Sequence, residues 1–104
     1  MPLSITTSDR DTERVVSVAG EVDVSNAPEL RAALDEVLAG GVTGVEVDLS
    51  EVPYIDSTGI GVLVGVAHRA HDKGVGLHVS HPQRNVARVL DLLGVGRELD
   101  VRAD

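Results

Sequence analysis

Cysteine, tryptophan and phenylalanine are absent from this sequence, and Tyr54 is its one aromatic residue. Without cysteine the chain forms no disulfide and offers no thiol for catalysis or metal binding. Because aromatic rings are so scarce, the core has to be built from the aliphatic side chains that supply most of the 42% hydrophobic content. The sequence therefore predicts an aliphatic core of Val, Leu, Ile and Ala.

Basic residues are also in short supply. Nine Lys and Arg stand against 17 Asp and Glu, which gives a formal net charge of −8. Such a charge argues against nucleic-acid binding, because a phosphate backbone would be repelled. No apolar run is long enough to span a bilayer and the N-terminus lacks a signal-peptide pattern, so we expect a soluble, cytoplasmic protein. A chain of 104 residues is expected to form one domain over residues 1–104.

The middle of the chain predicts a strand, a turn and a helix in succession. Residues 45–49 alternate apolar side chains with acidic ones, the period of a strand, and Pro53 prevents the ladder from continuing. Asp56 and Ser57 are both favourable helix N-cap residues. Apolar residues follow at helical spacing: Ile60, Leu63, Val64 and Ala67. The Ser57 hydroxyl is therefore expected at a helix N-terminus, where unpaired N–H groups and the helix dipole favour a phosphate.

The remaining elements are predicted to alternate. Hydrophobic periodicity predicts strands at residues 3–6, 14–20 and 75–79, a polar turn at 8–13, and a last short strand within 95–101. It predicts a first helix capped by Ser25 or Asn26 and ended by glycines at 40–41. It predicts a third helix opened by Pro82, with an apolar face of Val86, Val89, Leu90 and Leu93. This order favours a single α/β (or α+β) domain with a mixed, mostly parallel sheet.

The helix after Ser57 is a conflict between two signals. Gly59, Gly61 and Gly65 are interspersed with β-branched residues, and intrinsic propensity would favour a strand. We nevertheless expect a helix, because the glycines suit close packing against a sheet and residues 68–72 continue in helical register.

Residues 56–61, Asp-Ser-Thr-Gly-Ile-Gly, resemble the D-S-[ST]-G-[LI]-G motif of the STAS domain family, specifically of bacterial anti-sigma factor antagonists. Residues 20–23 match the family's G-E-[LIV]-D element, and residues 92–95 match its pattern after the third helix. The resemblance covers nearly the whole chain. It implies a mixed sheet with helices packed mainly on one side.

The resemblance also implies a function. The unphosphorylated protein would bind an anti-sigma factor that is a serine kinase and so release a sigma factor. Phosphorylation of Ser57 would end binding, and a PP2C-type phosphatase would restore it. The free protein would be a monomer, without cofactor. The partner-binding residues we expect are Glu21, Asp23, Tyr54, Asp56, Ser57 and Thr58. Ile55 is expected in the core, whereas Tyr54 could serve the core or the partner contact.

The same residues also allow interpretations other than a binding module. Ser57 could be only an N-cap, and Thr58 is more readily a first-turn helix residue than a modified one. His68 and His71 at i, i+3 suggest a metal pair, but no metal site is expected because such pairs usually lie on a solvated face. No G-x-S-x-G elbow or evident general base supports a hydrolase, so no enzyme is expected. The alternatives kept open are a STAS module in a stressosome-like scaffold or lipid-transport complex, and a weak nucleotide-binding domain.

Overall fold

Strands and helices alternate along most of the chain, of which the computed structural model describes residues 2–102. The strands are β1 (Ser4–Arg10), β2 (Glu13–Ala19), β3 (Gly44–Glu51), β4 (Gly76–Ser80) and β5 (Val101–Arg102). The helices are α1 (Ala27–Leu38), α2 (Ser57–Asp72), α3 (Arg84–Leu92) and α4 (Gly96–Leu99). Residues 1, 103 and 104 of the expected 1–104 domain lie outside the described residues.

The five strands form one sheet in the order β1-β2-β3-β4-β5. β1 and β2 are an antiparallel hairpin, and every later pair is parallel, which confirms the expected mixed, mostly parallel sheet. Crossovers between parallel strands are right-handed. Because each new strand joins the same edge of the sheet, that handedness carries the connecting helices onto one face.

The core lies between that face and the helices. The apolar residues of the predicted central strand, Val45, Val47 and Leu49, are at most 2% exposed and belong to one cluster with the buried residues of β2 and β4. The helices contribute further buried residues, and those at positions predicted on helix faces include Leu63, Val86 and Leu90. Helices therefore cover one face of the sheet, as expected. Within residues 2–102, no helix has the length and apolarity needed to cross a membrane.

The helical prediction for the glycine-rich stretch is correct. α2 runs for 16 residues and buries Ile60, Leu63, Val66, Ala67 and Ala70 against the sheet and α1. Burial of this apolar face outweighs the low helix propensity of its Gly and Val residues.

The polar turn expected before the second strand is a wrong prediction. Residues 8–13, expected as a polar turn, belong mostly to the hairpin strands, and only Asp11 and Thr12 turn the chain, with Asp11 at a φ of 58°. Polar residues suit a strand here because most of β1 is exposed on the edge of the sheet.

The end of the chain also differs from expectation. α3 begins at Arg84 rather than Pro82, and residues 96–99 form a helical turn instead of strand, leaving only Val101–Arg102 as β5. Leu93, placed on the buried face of the third helix, is 52% exposed. The helix ends at Leu92, so Leu93 no longer follows its apolar stripe, and Leu99 from α4 enters the core.

Candidate functional site

The site expected around Ser57 lies where β2 and β3 end. Residues 20–23, which follow β2, run parallel to the segment before α2 through a bridge between Val22 and Ile55. The Val22 N–H donates to the Tyr54 carbonyl at 2.9 Å, and the Asp56 N–H donates to the Val22 carbonyl at 3.1 Å. The two motifs identified in the sequence are therefore neighbours in the fold.

Gly59 allows α2 to start close against this bridge. A Cβ at position 59 would lie 2.6 Å from Val22 Cγ1 and 2.8 Å from Ile55 Cγ1, distances that side-chain carbons do not tolerate. Val22 and Ile55 are themselves buried. The glycine of the motif thus sets how near the first turn of the helix comes to the sheet, and with it the position of Ser57.

The N-cap of α2 is Asp56. Its backbone is extended, with φ −94° and ψ −179°, and its Oδ1 accepts the Gly59 N–H at 3.0 Å. Ser57 is therefore the first helical residue, and the N-cap role considered for it belongs to Asp56. The Ser57 side chain is exposed, and within residues 2–102 its hydroxyl has no hydrogen-bond partner. The hydroxyl is open to solvent at the positive end of a 16-residue helix.

Asp23 is held in a tight turn beside this helix start. Its Oδ1 accepts the Ser25 hydroxyl at 2.5 Å and the Ser25 N–H at 2.9 Å. These bonds, the hydroxyl first, hold the pKa of the Asp23 carboxyl below its ordinary value. Asn26 occupies the N-cap position of α1, but its side chain does not cap the helix. Instead, Asn26 Oδ1 accepts the Asp23 N–H and Asn26 Nδ2 donates to the Glu21 carbonyl. Asp23 is consequently an oriented carboxylate.

The structure brings the expected partner-binding residues together as one surface on two adjacent segments. Glu21 is exposed and Asp23 half-buried on the first segment. On the second, Tyr54 is 50% exposed, which places it at the surface, whereas Ile55 is in the core as expected. Asp56 is half-buried, and Ser57 and Thr58 are exposed.

Sequence reasoning missed several neighbours of this surface. Val24, in the Asp23 turn, is 69% exposed, an apolar residue that a search for polar chemistry passes over. Thr58 also lines a groove of about 260 Å³ between α1 and α2. The other lining residues are Arg31, Gly61, Val62, Gly65 and Arg69. Asp35 orients both arginines, at 3.6 Å from Arg31 Nε and 3.0 Å from Arg69 Nε. The glycines were visible in the sequence, but the pairing of α1 with α2 was not.

Comparison with known proteins decides the family. A family model described as "Mlab, STAS domain" matches residues 5–101. The chain is 34% identical over 95 residues to an anti-sigma-B factor antagonist of Staphylococcus epidermidis, covering 91% of this chain and 88% of the relative. It is 30% identical over 103 residues to the anti-sigma-B factor antagonist of Bacillus subtilis strain 168, covering 99% and 94%. The chain belongs to the STAS domain family, among the anti-sigma factor antagonists.

Solved structures agree with this assignment. An anti-sigma factor antagonist from Mycobacterium paratuberculosis superposes on this STAS domain with a TM-score of 0.90 at 27% identity, covering 99% of this chain and 87% of the other. The antagonist SpoIIAA in its unphosphorylated form gives a TM-score of 0.81 at 19% identity, covering 97% and 89%, a likeness of fold alone.

Proposed function

We propose that this STAS domain is a partner switch that binds an anti-sigma factor serine kinase while Ser57 is unphosphorylated, thereby releasing a sigma factor. Phosphorylation of Ser57 ends the interaction, and a PP2C-type phosphatase reverses it. The proposal describes a cytoplasmic binding module, a monomer when free, and not an enzyme. The curated relatives support it, since they are named as antagonists of an anti-sigma factor.

The observation that carries the proposal is the position of the Ser57 hydroxyl. It stands exposed at the first residue of α2, and the Asp56 cap and the Gly59 contact fix the backbone around it. A kinase can approach such a hydroxyl without unfolding the protein. The product is also tolerated, because a phosphate at a helix N-terminus meets backbone N–H groups and a favourable dipole.

Charge explains how one phosphate would end binding. The group adds about −1.5 to −2 charges at pH 7. Glu21, Asp23 and Asp56 already make this surface acidic, and the low pKa of Asp23 keeps its carboxylate charged. A partner surface fitted to the neutral Ser57 hydroxyl would have to bury the added charge, which costs several kcal/mol when like charges are juxtaposed. The switch therefore acts on docking and leaves the fold in place.

The proposed docking surface consists of the six residues expected from the sequence: Glu21, Asp23, Tyr54, Asp56, Ser57 and Thr58. Tyr54 suits such a surface, because a half-exposed aromatic ring contributes apolar contact area at low entropic cost. We add Val24 to this surface for its exposed apolar side chain beside Asp23.

The decisive experiment compares variants at two adjacent hydroxyls in binding to the candidate kinase by calorimetry. Ser57→Ala is expected to bind like the unphosphorylated protein, and Ser57→Asp at least about tenfold more weakly, which is about 1.4 kcal/mol. Thr58→Ala and Thr58→Asp, one residue along the same helix turn, make the same changes elsewhere on the docking surface, and Thr58→Asp should weaken binding less than Ser57→Asp. Equal affinity of Ser57→Ala and Ser57→Asp would remove the proposed switch.

Covalent modification is tested separately. Incubation with the kinase and ATP, followed by peptide mass analysis, should place one phosphate on Ser57 and leave the Ser57→Ala protein unmodified. Amide chemical shifts should then change near residues 20–26 and 54–60 only. Wholesale shift changes would contradict a switch without refolding. Absence of phosphate with every candidate kinase would favour a STAS module in another assembly, and micromolar ATP or GTP binding would favour the nucleotide-binding alternative.

A further inference from the structure

The face of the sheet turned away from the helices carries a cluster of metal-ligating side chains. Glu46 and Asp48 alternate with the core residues of β3 and therefore point to this open face. The register of β3 with β4 pairs Glu46 with His78 and Asp48 with Ser80, so their side chains share that face. His81 follows directly after β4.

Three of these side chains lie close enough to share one ion. One ligand atom each from Glu46, Asp48 and His81 falls within 4.8 Å of the other two. This is the one such group within residues 2–102, and it does not include His68 or His71 of α2. His78 adds a second imidazole, with its Nε2 at 3.6 Å from Glu46 Oε1. The set thus offers both imidazole nitrogen and carboxylate oxygen.

Neighbouring groups hold the two carboxylates in place. The hydroxyl of Ser80, which is fully buried, donates to Glu46 Oε2 at 2.7 Å. The Ser50 N–H donates to Asp48 Oδ1 at 2.8 Å. The Glu46 side chain is only 11% exposed, so its orientation is restricted by packing as well. Metal-binding carboxylates characteristically have such hydrogen-bonded supports, which reduce the cost of ordering the site.

We propose that Glu46, Asp48 and His81 form a Zn²⁺ site on the open face of the sheet. Imidazole with carboxylate favours zinc over the purely oxygen-binding Mg²⁺ and Ca²⁺. Zinc bonds of about 2.0–2.2 Å require tetrahedral ligand atoms about 3.3 Å apart, so the group must contract by roughly 1.5 Å at most. The movement falls to the His81 imidazole, because His81 is exposed whereas packing restricts the Glu46 side chain.

Arg10 is the competitor that the ion has to displace. Its Nη1 lies 3.3 Å from Glu46 Oε1, and its side chain is 64% exposed. Because the Arg10 side chain is mostly exposed, solvent screens this ion pair and limits its contribution to stability. Removing the guanidinium would leave the negative charge of Glu46 for the metal, so replacing Arg10 should strengthen binding.

The test is calorimetric titration of the full chain with Zn²⁺ in a His68→Gln/His71→Gln background, which removes the surface histidine pair of α2. One saturable site is expected, with the same affinity as in the unaltered protein. Asp48→Asn and His81→Asn should each weaken binding at least about tenfold. Asn is chosen at position 81 because His81 has a φ of 53°, a conformation Asn tolerates. Circular dichroism verifies that both variants remain folded.

Arg10→Gln provides a test in the opposite direction and should tighten Zn²⁺ binding. Mg²⁺ at the same concentration should give no saturable heat. The proposal is overturned if Zn²⁺ binding is lost in the His68→Gln/His71→Gln background or is unchanged by His81→Asn. Unchanged affinity in Arg10→Gln would overturn the assignment of Glu46 as a ligand.

Discussion

Gly59→Ala is the substitution that most directly tests how the site is positioned. The added methyl would stand 2.6 Å from Val22 Cγ1 and 2.8 Å from Ile55 Cγ1, both on buried side chains that have no room to move away. Overpacking of this kind costs about 2 kcal/mol. The better helix propensity of Ala returns about 0.5–1 kcal/mol. The net loss in the free energy of unfolding is therefore about 1–1.5 kcal/mol.

Gly61→Ala is the matched control in the same helix. A Cβ at position 61 meets no atom within 4 Å, so the propensity gain is unopposed and stability should rise by about 0.5–1 kcal/mol. A chain of this size unfolds with an entropy of about 0.22 kcal/mol per kelvin. Calorimetry should then show a Tm about 5–7 °C lower for Gly59→Ala and about 2–5 °C higher for Gly61→Ala. Tm shifts of the same sign in the two variants would refute the close-contact explanation.

Two further predictions concern the carboxylates beside Ser57. Asp56→Ala removes the cap on the Gly59 N–H and should lower the free energy of unfolding in urea by about 1 kcal/mol. Asp56→Asn still caps the helix and should lower it by only about 0.3 kcal/mol. Equal losses in the two variants would contradict capping as the role of Asp56. Because the folded pKa of Asp23 is depressed, its contribution to stability is present above about pH 4 and is lost as the pH falls through the folded value. Ser25→Ala removes the hydroxyl that contributes most to the low pKa of Asp23, so NMR titration of the Asp23 carboxyl should show a higher pKa. An unchanged pKa would contradict the hydroxyl as the cause of the shift.

The fold was predictable because its main signals are local. The alternation at residues 45–49 and the apolar spacing of α1 and α2 identify strand and helices, and the structure confirms both. Propensity alone would have misassigned α2, since its stability comes from burying one face against the sheet. Leu93 was misplaced because helical spacing does not reveal where a helix ends, and the helix ends one residue before it.

The candidate site was predictable only in part. Asp56 and Ser57 could be located at a helix start from local sequence, but which of them is the cap depends on the entry angle of the chain. That angle is set by the Val22–Ile55 bridge, which joins residues 33 positions apart. The Glu46 cluster was not predictable from spacing, since His81 joins the carboxylates of β3 only through the register of two parallel strands.

β3 connects the two faces of this domain. Its apolar residues support α2 and so fix Ser57, while its acidic residues, Glu46 and Asp48, build the proposed zinc site on the opposite face. The two sites share a rigid strand but no side chain, and the sheet separates them. Zinc binding and partner binding should therefore be independent to within about a factor of two, because no side chain takes part in both sites.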